Sequence, residues 1–305
     1  MEKLLRAIFL FLSKNKALTK LAKKYGLRFG AARFVAGVDI ESASEVIQDL
    51  NERGLVVTVD HLGEFIDNKE ETMKAANESV HAIHVIAEKG LEAELSLKMT
   101  SLGLDISHDL VMKNMRKILD AGQEHQVTVT IDMEDYARCQ KTIDIYEELI
   151  QEYDRLGTVI QAYLYRSEED IRYLNQYDPY LRIVKGAYKE SPDVAYPNKD
   201  DVDVHYRERI KENLLNDNYT AIATHDELVI ADVKQMEQDY NLERDQFEFQ
   251  MLYGIRNERQ IGLAEEGYKM RVYVPYGKDW YGYNMRRLAE RPANIWFVLK
   301  GLFKK

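Results

Sequence analysis

The residues most suited to chemistry near the end of the chain are Tyr283, Arg286, Arg287 and Glu290, in the run YNMRRLAE. On a helix these four fall within an arc of about 100°. Two guanidinium groups on one face can clamp a carboxylate through paired hydrogen bonds. Glu290 stands four residues after Arg286 and three after Arg287, so it can hold both cations when no ligand is bound. Farther upstream, Lys98, Arg182 and Lys185 interrupt otherwise apolar runs. A charge in such a run is costly unless it is paired or used, and three cations suit an anionic substrate or the phosphates of a cofactor. Polar groups gather at matching places in neighbouring runs: Asp60-His61, Thr100-Ser101, Asp132 and Glu134, Gln161 and Tyr163, Thr224-His225-Asp226, Gln250 (with apolar Leu252 beyond it), and Arg271, Tyr273 and Tyr276. His61 and His225 with Asp132 or Glu134 have ligand chemistry for a divalent metal, but no HxH pair or HExxH helix is present, and the expectation is no metal. Lys185 alone would also suit a Schiff-base enzyme, provided that a neighbouring cation activates it.

The elements that must position these groups alternate. Eight short apolar runs occupy 55–59, 93–97, 127–131, 158–162, 181–184, 220–223, 247–251 and 270–274. Charged segments with a helical apolar period lie between them, among them 71–89, 108–124, 135–153 and 227–239. Eight strand–helix units are the count of a (βα)8 TIM barrel, an α/β fold whose active face lies at the C-terminal strand ends. A doubly wound nucleotide-binding sheet would need a glycine-rich turn after its first strand, where this chain reads DHLGEF. Residues 40–51 have the pattern of a helix preceding the first strand.

Composition narrows the class. The chain has 305 residues with one cysteine, so no internal disulfide forms, and it has no apolar run of about 20 residues to cross a bilayer. Residues 1–30 hold eight Lys or Arg against one acidic residue, a net of +7, so the rest of the −10 chain carries −17. An acidic body lacks the basic groove that nucleic acid requires. The basic arm, with LLRAIFLFL at 4–12 followed by KNKALTKLAKKYG, has the makings of a helix resting on anionic lipid. The expectation is a helical arm at 1–50 and a barrel at 51–305, in a cytoplasmic protein whose residues 1–30 either make peripheral contact with the membrane or pack on the body with their basic side in water.

Eight pieces in order carry a resemblance: LKMTSLG (97–103), TIDMED (130–135), QAYL (161–164), LRIVKGAY (181–188), ATHD (223–226), FEFQMLYG (247–254), RVYVPYG (271–277) and YNMRRLAER (283–291). Together they resemble the FAD-dependent proline dehydrogenase family in its monofunctional bacterial form. The resemblance implies a distorted barrel with the final helix over its C-terminal face, and non-covalent FAD without a Rossmann domain. Gln161, Arg182, Lys185, Ala187, Thr224 and His225 would then line the cofactor, with Arg182 beside its reactive edge. Arg286, Arg287 and Lys98 would bind the carboxylate of L-proline, and Leu252, Tyr273 and Tyr283 would surround its ring. Glu290 would orient the arginines, and Asp132, Arg182 and Tyr273 would form the catalytic set. The implied reaction moves a hydride from proline C5 to flavin N5, giving Δ1-pyrroline-5-carboxylate as the first step of proline catabolism to glutamate. A membrane quinone would reoxidise the flavin, and a separate pyrroline-5-carboxylate dehydrogenase would take the product onward. Two positions depart from common relatives: Lys189 stands where many have Trp, and Arg291 where many larger bifunctional relatives have Asn.

Overall fold

The computed structural model describes residues 34–280. Within them eight parallel strands close a barrel in sequence order: β1 (Val56–His61), β2 (Ala93–Leu97), β3 (Val129–Ile131), β4 (Leu156–Gln161), β5 (Tyr180–Val184), β6 (Thr220–Ala223), β7 (Phe247–Leu252) and β8 (Met270–Tyr276). The helix α1 (Ile40–Glu52) precedes β1. One helix then follows each of the first seven strands: α2 (Lys69–Glu88), α3 (His108–His125), α4 (Tyr136–Ile150), α5 (Ser167–Leu174), α6 (Lys199–Leu215), α7 (Glu227–Tyr240) and α8 (Asn257–Glu265). The eight apolar runs all became strands, and the four helical segments read from periodicity formed within a few residues of their expected ends.

Strand register decides what faces the lumen. Asp60 pairs with Ser96 and Pro275, Ser96 with Thr130, Arg182 with Val159 and Ala221, and Leu252 with Tyr273. Partners in register share a face, and the pleat alternates with a period of two. Glu94, Ser96 and Lys98 therefore all point inward, as do Asp132, Gln161, Arg182, Gln250 and Tyr273. The alternate positions, such as Val57, Val59, Leu95, Ile131, Ile183, Phe249 and Val272, are buried against the helices. The apolar core is thus the annular layer between sheet and helices, where each buried Val, Leu or Ile contributes about 1.5–3 kcal/mol. The lumen holds the polar groups, with a few apolar residues such as Val159, Ala221 and Leu252 among them.

Capping sets where strand ends stop and helices begin. Asn68 accepts from the Glu70 and Glu71 amides to start α2, Ser107 accepts from Leu110 to start α3, and Asp226 accepts from Leu228 to start α7. The Asp226 cap fixes the preceding Thr224-His225 pair at the mouth of β6. The apolar side of α1 (Ile40, Ala43, Ile47, Leu50) joins the barrel's own core, and the Ala36 amide donates to the Pro275 carbonyl at 2.9 Å. Residues 34–52 therefore pack as part of the barrel. The basic segment 1–30 and the expected final helix with Tyr283, Arg286, Arg287 and Glu290 lie outside the described residues.

Candidate active site

Asp132, at the C-terminal end of β3, is the hub of the strand-end mouth. Its Oδ1 accepts from Arg182 at 2.7 Å and from the Ser96 hydroxyl at 2.7 Å. Its Oδ2 accepts from the Tyr273 hydroxyl at 2.6 Å and from Lys98 Nζ at 3.2 Å. Four donors come from β2, its following turn, β5 and β8. Lys98 also reaches Asp60 Oδ2 at 3.0 Å, which brings in β1. The Arg182 guanidinium lies over the Tyr273 ring, 5.3 Å from its centre. Lys98, Asp132, Arg182 and Tyr273 are therefore one network. Ser96 is the member that sequence reasoning missed; the alternation from Glu94 to Lys98 would have placed it on the lumen face.

The protonation states follow from this packing. Burial raises the Asp132 carboxyl, but Lys98, Arg182 and the bonds from Tyr273 and Ser96 outweigh it and hold the group below its usual value. Burial pushes Asp60 upward, against the pull of Lys98. Burial disfavours the Lys98 ammonium, yet Asp60, Tyr273 and Asp132 hold it charged well above the ordinary lysine range. Burial, followed by Asp132 and Asp60, lifts the Tyr273 phenol well above its usual range, so Tyr273 stays a neutral donor.

The expected cofactor side is formed by β4 to β6. Gln161 is buried at the end of β4, and its Oε1 has no protein partner; neither do Nε and Nη2 of Arg182. Buried polar atoms seldom stay unpaired, so these three suit hydrogen-bonding edges of a bound molecule. Gly186, with φ of +113°, carries the chain across Tyr163: a Cβ there would lie 2.2 Å from the ring. This close passage leaves Ala187 exposed beside the mouth. Lys185 bridges Asp203 (2.6 Å) and Asp226 (3.2 Å). The neighbours of Lys185 are thus two carboxylates, not the cation that a Schiff-base lysine would need. Thr224 accepts from the Asp226 amide at 3.0 Å, and its own amide donates to Gln250. Nε2 of His225 accepts from the Leu252 amide at 3.0 Å, which requires the proton of the neutral ring to sit on Nδ1.

Two residues read as members of the strand-end face belong elsewhere. Arg271 stands at the start of β8 and binds Glu248 (2.5 and 3.0 Å), Glu94 (2.9 Å) and the Val57 carbonyl (2.8 Å). Gln250 Nε2 donates to Glu248 at 2.6 Å. Their lumen orientation was legible, but their height along the barrel was not. Among the described residues no group of three or more His, Cys, Asp or Glu side chains is arranged to hold a metal ion.

Comparison with known proteins adds an independent line. The family model for proline dehydrogenase matches residues 43–300. The chain is 56% identical over 302 residues to proline dehydrogenase 1 of Bacillus subtilis, covering 99% of this chain and all of that protein. It is 43% identical to proline dehydrogenase of Deinococcus radiodurans, with 90% of each chain covered. Among solved structures it resembles proline utilization A from Bdellovibrio bacteriovorus inactivated by N-propargylglycine, with a TM-score of 0.81 and 26% identity. That match covers 93% of this chain but 36% of the larger protein.

Proposed function

The chain belongs to the proline dehydrogenase family, and from that premise we propose that it oxidises L-proline to Δ1-pyrroline-5-carboxylate with non-covalently bound FAD. The observation that carries the cofactor reading is the set of unpartnered buried atoms on adjacent strands, Gln161 Oε1 with Nε and Nη2 of Arg182. An acceptor and two donors with no protein partner fit the mixed edge of a flavin ring. When bound, FAD would supply two-electron, hydride-accepting chemistry.

The chain's own residues supply position and field. Lys98 holds a fixed positive charge at the mouth, which suits one end of a carboxylate. We assign Arg286 and Arg287 the rest of that clamp, with Glu290 as their partner and Tyr283 against the substrate ring. Leu252 and the Tyr273 ring offer apolar surface for a small cyclic substrate. Asp132 does not face substrate as a free base, because four donors already occupy it. Its role is to orient Lys98, Arg182 and Tyr273. Arg182, pinned through one nitrogen, keeps two N–H directions for negative charge that develops on the acceptor. Cations around the mouth also favour the neutral amine of proline, whose lone pair must be available as the C5–H bond breaks. Lys185, Ala187, Thr224 and His225 extend the cofactor side toward β6.

We further assign a membrane quinone as the final electron acceptor, with residues 1–30 resting on anionic lipid and a separate dehydrogenase consuming the product. No described helix is long and apolar enough to cross a membrane. The test of the reaction is turnover of L-proline with a soluble quinone analogue and chemical trapping of the cyclic imine. Proline-dependent imine with matching quinone reduction is the expected result; quinone reduction by other amino acids but not proline would overturn the substrate assignment. Liposome co-sedimentation of the chain with and without residues 1–30 tests the lipid contact, which fails if removal leaves binding unchanged.

A further inference from the structure

We propose that Glu134 is a positioning residue: through Thr100 it latches together the ends of β1, β2 and β3 and so holds Lys98 in place. The proposal rests on the proline dehydrogenase reading for the role of Lys98, and on geometry for the latch itself.

Glu134 is 1% exposed, yet it touches no part of the Asp132 network through a hydrogen bond. Its Oε1 accepts from the Thr100 amide at 3.1 Å and its Oε2 from the Thr100 hydroxyl at 2.5 Å. The same hydroxyl accepts from the Phe65 amide at 3.1 Å, and the Thr100 carbonyl accepts from the Ile66 amide at 3.1 Å. One carboxylate after β3 thus fixes a residue after β2, which in turn fixes the loop after β1. Thr100 sits in the tight turn Met99–Ser101, whose Ser101 amide and hydroxyl both bind the Lys98 carbonyl. The backbone of Lys98 is therefore the near end of this chain of bonds. Phe65 is its far end, at φ of +55°, a left-handed conformation that a bulky residue adopts only when its surroundings impose it. Arg138 stacks over the Phe65 ring at 5.0 Å.

The latch works best with an ionised carboxylate, because both Thr100 groups donate to it. A proton on Oε2 turns that oxygen into a donor toward Thr100 Oγ, and the hydroxyl proton loses its acceptor. Burial raises the Glu134 carboxyl to about 7, against the Thr100 bonds and the charge of Lys98, with Glu64 adding to the rise. Tyr188 also lies near enough to feel the Glu134 charge. The Thr100 bonds themselves pull this value down, so with Glu134 buried whether the latch is open or closed, the latch tightens from pH 6 to pH 8. Global unfolding, which gives Glu134 water, has the opposite dependence.

Amide hydrogen exchange of the flavin-loaded full chain reads the latch without proline. Glu134→Ala and Thr100→Val should each speed exchange at Phe65 about ten-fold, as expected for loss of one net hydrogen bond, and Thr100→Ser should restore it. In the parent protein, Phe65 protection, corrected for intrinsic rates, should rise between pH 6 and pH 8. Glu134→Gln, which keeps the shape and has no proton to lose, should make that profile flat. The same Ala and Val variants should raise KM for proline about ten-fold with kcat changed less than about two-fold. Unchanged Phe65 exchange in both variants, or a pH dependence that persists in Glu134→Gln, overturns the latch. A protein that passes the exchange tests but does not oxidise proline keeps the latch and loses the substrate reading.

Discussion

The barrel lumen holds two charged layers that are built to different standards. In the lower layer, every charged atom of Glu94, Glu248 and Arg271 has a partner, with Tyr180, Tyr219, Gln250 and Lys269 contributing, although the Gln250 amide oxygen has none. In the upper layer, Asp132 is as fully bonded, but Arg182 keeps two unpartnered nitrogens and Gln161 an unpartnered oxygen. Both layers consist of inward-facing residues on the same strands, two to four positions apart. The contrast teaches that charge in a barrel is not itself a mark of function. Charges that are all paired hold the barrel together, whereas a buried guanidinium with unpaired N–H groups marks where a ligand completes it.

This contrast can be broken by mutation. Glu248→Ala should have the largest effect, about 3 kcal/mol of stability, because it takes two bonds from buried Arg271 and leaves it only Glu94 and the Val57 carbonyl; chemical denaturation checks this, and the activity of the folded fraction should persist. A small loss there would erase the distinction between the layers. Next comes Arg182→Ala, expected to lower kcat/KM for proline about 10²–10³-fold, as for loss of a preorganised charge at the reacting centre, with a smaller change in the denaturation midpoint than in the lower layer. Tyr273→Phe removes one donor from Asp132 and should cost about ten-fold in kcat/KM. We also expect it to improve hydroxyproline turnover relative to proline, since the phenol crowds a ring substituent; an unchanged ratio in steady-state assays would sink that part. The smallest effects are on pH. Burial works against the Glu248 carboxylate, but Arg271 outweighs it and brings the group down to about 2. The unfolded chain then binds a proton that the folded one does not, so this stabilisation is complete above the ordinary value of 4.5 and is lost as pH falls toward 2. Glu134, raised to about 7, acts in the opposite sense: the folded chain holds the extra proton, and stability declines as pH rises from 4.5 through 7. Denaturation of Glu134→Gln between pH 5 and 7 should show that decline removed.

The fold was legible because strand and helix periods differ, and eight apolar runs separated by amphipathic segments admit few closures. The upper network was legible in part. Lys98, Asp132, Arg182 and Tyr273 stand out as polar groups in or at the end of apolar runs, and their shared inward face follows from alternation. Height along the barrel was not legible, because it depends on the stagger between strands: Arg271 looks like Tyr273 in sequence, yet two residues move it into the lower layer. Ser96 carries no charge to betray it. The Glu134–Thr100 pair joins residues 34 positions apart, and nothing local in TIDMED or LKMTS announces it.

The most direct test of the central claim, that the open upper layer is a flavin and proline site, is the visible absorption spectrum of the purified protein before and after anaerobic addition of L-proline. The account predicts an oxidised flavin spectrum that bleaches with proline. A colourless protein that also fails to take up added FAD would contradict it.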